Sequence, residues 1–195
     1  MKKRILSIVL AVVCFSGLLT GCAHEHVWAD ASCFSPETCI SCGETVGEPL
    51  GHRWVDATET TPRMCTECGE MEAFQLPKTG QVFLGANLRR DSQLTIEGGS
   101  DRSCYIKLKG TTGKDVFSFF VRAGESITVA VPSGYYYVYF SYGTEWYGPE
   151  YLFGDGTIYA KDDEICDFEN YVWTYTLYTS ANGNFTETPI SADEF

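Results

Sequence analysis

The chain has 195 residues and sets 26 Asp and Glu against 14 Lys and Arg, a formal net charge of −12. So acidic a surface repels nucleic acid and anionic lipid, which excludes a nucleic-acid partner and any membrane attachment through basic residues. Histidine occurs only at His24, His26 and His52, so no catalytic arrangement that needs an imidazole can form within the rest of the chain.

Lys2, Lys3 and Arg4 form a basic start, and the run from Ile5 to Leu19 is almost wholly apolar. That run is short for a spanning helix, which needs about 20 residues, and its flanks are those of an export signal. Leu19-Thr20-Gly21-Cys22 resembles the lipobox of bacterial lipoproteins. The resemblance implies cleavage of residues 1–21, a diacylglycerol on the Cys22 thiol, and a lipid-anchored protein on the extracytoplasmic face of the cell membrane. The alternatives are a plain secretory signal and an uncleaved anchor. Residues 22–25 are then the lipidated cysteine and a spacer, and losing Lys2, Lys3 and Arg4 takes the formal charge from −12 to −15.

Residues 26–77 hold two copies of one pattern in an unbroken register, 26–51 and 52–77. His26, Trp28, Asp30, Ala31, Pro36, Cys39, Cys42, Gly43 and Glu44 recur as His52, Trp54, Asp56, Ala57, Pro62, Cys65, Cys68, Gly69 and Glu70. Histidine followed by Cys-x-x-Cys-Gly is the spacing of a metal knuckle, and a structural zinc takes four Cys or His ligands. The first copy supplies His26, Cys33, Cys39 and Cys42. The second supplies His52, Cys65 and Cys68, with Glu59 where Cys33 would fall. The pattern therefore predicts one complete zinc site and one degenerate site, with Trp28 and Trp54 packed over them and His24 a solvated spare. Two other wirings stay open: His52 closing the first site, and a single ion shared by the two Cys-x-x-Cys pairs. Disulfides suit an extracytoplasmic compartment, but five cysteines cannot all pair within the repeats, and no thioredoxin-like pattern supports redox chemistry.

Residues His26 to His52, including Thr45, Gly47, Leu50 and Gly51, are similar to the tandem zinc-ribbon-like repeats of surface proteins in Gram-positive anaerobes. The resemblance implies an accessory module beside another domain. The second copy departs from the pattern at Glu59 and lacks the trailing Leu-Gly-His.

Leu76-Pro77-Lys78-Thr79-Gly80 matches the letters of a sortase sorting signal, but a long patterned segment follows it instead of an apolar helix and basic tail. It reads as a Pro/Gly linker. Beyond it, residues 79–195 alternate with period two: Cys104, Ile106 and Leu108; Phe117, Phe119 and Val121; Ile127, Val129 and Val131. Gly- and Asn-rich separators lie between, and strands are expected near 94–97, 104–109, 116–122, 126–131, 135–142, 171–178 and 184–190. The fold class expected is mainly β, with an antiparallel β-sandwich as the last domain.

Only carboxylates such as Glu145, Glu150, Asp155 and Asp162 remain for catalysis, and loop acids of so acidic a chain are ordinarily solvated, so no enzyme is expected. Residues 135–153 hold ten aromatics, on both faces of one strand. Such rings either fill sheet surfaces or grip a glycan or peptide, and Trp146, Tyr147 and Tyr151 are the candidate ligand-binding residues. Cys104 and Cys166 are either a disulfide or two buried thiols. Together these features predict a lipid-anchored, non-catalytic surface protein. Its zinc-bearing repeats carry a β-sandwich for ligand binding or adhesion, or for carbohydrate, with a glycan or a cell-envelope protein as partner.

Overall fold

The computed structural model describes residues 24–99, 101–177 and 187–195. The expected signal segment 1–21 and the expected lipidation residue Cys22 lie outside the described residues, as do the end of the strand expected at 171–178 and the start of that expected at 184–190. The described residues form short β-strands and one 3-10 turn, with no α-helix among them. The chain divides into two compact units, Met1–Gly51 and His52–Phe195. The division therefore falls between the two repeats and not at the Leu76–Gly80 junction.

In the first unit β1 (Trp28–Ala29), β2 (Glu37–Cys39) and β3 (Thr45–Val46) make an antiparallel sheet in that order. Trp28 stands opposite Cys39. The turn between β1 and β2 is closed by the Ser32 hydroxyl, which accepts from the amides of Phe34 (3.2 Å) and Ser35 (3.1 Å). In the second unit β4 (Trp54–Val55) and β5 (Met64–Cys65) rebuild the same hairpin, with Trp54 opposite Cys65. Thr58 does there what Ser32 does in the first copy, accepting from Thr60 (3.3 Å) and Thr61 (3.0 Å). The sequence repeat is thus a repeat of hydrogen bonds.

The rest of the second unit is a sandwich of unequal sheets. The larger runs β15 (Glu187–Pro189), β12 (Ile158–Asp162), β11 (Tyr135–Gly143), β8 (Ser103–Gly110), β9 (Asp115–Val121) and β6 (Val82–Leu84), with β13 (Cys166–Asp167) also on β11. All its pairings are antiparallel. The smaller runs β10 (Ser126–Val131), β7 (Ser92–Glu97) and β14 (Trp173–Thr176). β14 lies parallel to β7, so the sandwich is not antiparallel throughout. Period-two alternation sorts the side chains as expected. Cys104, Ile106, Leu108, Phe117, Phe119 and Val121 face Leu94, Ile96, Val129 and Val131 across a buried core.

The opposite face of the larger sheet is buried too. Tyr105 and Phe120 meet Trp146, Leu152 and Phe153 from the segment after β11, and Phe74 and Leu76 pack on them from the end of the second repeat. Phe74 donates its amide to the Trp146 carbonyl at 2.7 Å, so the second repeat and the sandwich are one packed body. The junction itself is fastened. Arg122 donates through Nε to the Pro77 carbonyl (2.7 Å) and through a terminal nitrogen to the Leu76 carbonyl (2.7 Å). The Thr79 hydroxyl accepts from the Arg122 amide (3.0 Å) and donates to Glu125.

Candidate metal centres

Each knuckle is built by one local device. The amide of Gly43 donates to the Cys39 carbonyl (2.8 Å) and that of Cys39 to the Glu44 carbonyl (2.7 Å). Gly69, Cys65 and Glu70 repeat the pair at 2.9 and 2.8 Å. Gly43 and Gly69 sit at φ +75° and +77°, a left-handed conformation that strains any residue with a Cβ. The amides that follow the first cysteine then point back at its sulfur.

In the first unit the ligand atoms of His24, His26, Cys39 and Cys42 lie within 4.8 Å of one another. His24 Nε2 is 3.3 Å from Cys39 Sγ, and His26 Nδ1 is 3.7 Å from Cys42 Sγ. Around a tetrahedral zinc with Zn–S of about 2.3 Å and Zn–N of about 2.0–2.1 Å, sulfur and nitrogen stand about 3.6 Å apart, so the spacing fits a four-coordinate ion. In the second unit His52, Cys65 and Cys68 come together likewise, with His52 Nδ1 3.5 Å from Cys68 Sγ. Both groups can hold a metal ion.

The electrostatics prepare the sulfurs for it. His24 beside the Cys39 thiol, with the Ser41 and Cys42 amides and His26, outweighs the opposing effect of burial and lowers its pKa to about 5. For Cys65, burial pushes upward, but the Cys68 and Glu67 amides with His52 and Cys68 bring it down to about 6. These thiols are thiolates at neutral pH, the form that ligates.

The structure groups the expected donors differently from the frame of the two copies. Cys33 is buried but is not among the four donors of the first group; His24, expected to be solvated, takes that place. The repeat frame began at His26 and so passed over the His24-x-His26 spacing that carried the signal. Glu59 is exposed and is no member of the second group; it lines a cavity of about 320 Å³ beside Phe74, Trp146 and Gly148. No disulfide forms among the described residues, and Cys104 and Cys166 are separate buried thiols.

The expected aromatic grip divides differently. Trp146 is 3% exposed, its ring 5.1–5.5 Å from those of Phe120, Phe153, Tyr105 and Phe83, so it is a core residue and not an open platform. Tyr147 and Tyr151 are half-buried. Tyr147 donates to Glu145 (2.8 Å) and lines a cleft of about 520 Å³ with Glu70, Arg102 and Asp155. The comparisons with protein-family models, with curated proteins and with solved structures return no match to this chain.

Proposed function

We propose that this protein is a lipid-anchored, extracytoplasmic, non-catalytic lipoprotein whose repeats are clipped by zinc and whose β-sandwich binds a ligand or adheres to a cell-envelope partner. The observation that carries the zinc reading is the first group, two imidazoles and two thiols whose ligand atoms lie within 4.8 Å of one another, with the Cys39 pKa lowered to about 5. A repeat of this size cannot hold a core by itself, and a metal supplies the missing stability. The apolar run ending in Leu19-Thr20-Gly21-Cys22 supports the anchor, and the absence of histidine after His52 supports a non-catalytic role.

Zinc is expected to stay with the full chain through gel filtration and to be removable only by strong chelators. Metal-free protein with oxidised Cys-x-x-Cys pairs would sink the zinc reading. In the same cells Cys22→Ala should move the protein from the membrane to the soluble fraction, and an unchanged membrane fraction would count against the anchor. A second reading, glycan recognition, is favoured by the cleft beside Tyr147, whose volume falls in the range of small-ligand sites.

A further inference from the structure

Glu44 and Glu70 are one repeat apart, like the metal donors, and each stands against the far nitrogen of an imidazole. In both copies Nδ1 is the nitrogen turned to the thiol, at 3.7 Å for His26 and 3.5 Å for His52. Nε2 is turned to the carboxylate, 3.6 Å from Glu44 and 3.2 Å from Glu70. An imidazole that ligates through Nδ1 must carry its proton on Nε2. Glu70 stands within hydrogen-bond distance of that nitrogen and Glu44 just outside it. A carboxylate that accepts from Nε2–H fixes the tautomer and the ring plane and strengthens the other nitrogen as a donor.

The placement follows from the knuckle. Glu44 accepts the Cys39 amide and Glu70 the Cys65 amide through their carbonyls, so each glutamate is tied to the residue that carries a ligating sulfur. The flat side of each ring is held as well. His26 stacks on Trp28 with centroids 5.1 Å apart, and His52 on Trp54 at 4.9 Å. Both glutamates are exposed, and an exposed ion pair by itself adds little to stability. What recurs is the geometry.

We propose that Glu44 and Glu70 are positioning residues of the two metal centres, orienting His26 and His52 so that Nδ1 is presented to the ion. The proposal rests on the zinc reading above. Its test is competition for zinc between the full chain and a chromophoric chelator, with nitrogen-resolved NMR of the imidazoles in the zinc-loaded protein. Glu44→Ala and Glu70→Ala should each weaken zinc at one centre by about 10–100-fold. The Nε2–H signal of the matching histidine should be lost to exchange. Glu70→Gln, whose amide oxygen still accepts, should recover most of the affinity, and Glu48→Ala should change nothing. If the unsubstituted chain binds no zinc, the zinc reading falls and this proposal with it. If it binds zinc while both alanine variants keep full affinity and unchanged Nε2–H signals, the proposal alone is overturned.

Discussion

His24 shows how a candidate ligand hides in a repeat. Alignment of the two copies at His26 and His52 makes Leu50 its counterpart, and a residue without a matching partner looks incidental. Cys33 looks essential in the same frame because it sits inside the copy, yet the structure leaves it out of the first group. The first outcome turns on the path of the chain before β1 and the second on the turn between β1 and β2, neither of which residue spacing states. The knuckle cysteines were legible because Cys-x-x-Cys-Gly encodes its own turn. The effect of His24 can be measured through the thiols. Cys39 and Cys65 ionise at about 5 and about 6 in the folded chain, below the ordinary thiol range of about 8.5. A depressed folded pKa contributes stability that is complete above the unfolded value and is lost as pH falls through the folded one. Chelator-treated protein should therefore gain stability from about pH 5 up to about pH 9, with thiolate absorbance rising near 5 and 6. His24→Ala should move the lower step upward, because His24 is the largest influence on Cys39. A single rise in the ordinary thiol range would contradict the arrangement.

At the scale of elements, the strands with long alternation were legible and the short ones were not. β10 falls at the expected residues, and β8, β9 and β11 within a residue or so, because an apolar face repeated every second residue admits one register against a core. β6 and β13 have three and two residues, too few to show a period, and β12 was also missed. The parallel pairing of β14 is set by the return of the chain, not by its own residues. The aromatic strand β11 was legible as a strand but not as a buried one. Its sheet is covered on both faces, by the small sheet and by the Trp146–Phe153 segment. Trp146→Ala is accordingly expected to cost about 3–5 kcal/mol in denaturant unfolding, as deletion of a buried aromatic does. Tyr147→Ala, at the rim of its cleft, should cost far less. If Trp146→Ala kept full stability and lost only ligand binding, the packing account would fail.

At the scale of the molecule, the second repeat and the sandwich share one compact unit, so Leu76-Pro77-Lys78-Thr79-Gly80 is an internal segment of a folded body. Its proline and glycine resemble a linker in the sequence because composition reports backbone freedom and not what the backbone meets. Here it meets Arg122, which takes the Leu76 and Pro77 carbonyls, and the Phe120 carbonyl, which accepts the Gly80 amide at 2.7 Å. Lys78 remains exposed at the tip of this segment, with the Gln81 amide donating to its carbonyl at 2.9 Å. A protease must draw the residues around its cleavage point into an extended strand, and that requires these hydrogen bonds to open together. Trypsin is therefore expected to spare Lys78 in the native protein although the side chain is accessible. Arg122→Ala removes two charge-assisted bonds worth about 1.5–3 kcal/mol each, so opening becomes at least about tenfold more frequent and cleavage after Lys78 rises in step. Equal cleavage in both proteins would mean that the segment is free in solution, and the one-body reading of His52–Phe195 would then lose its strongest local support.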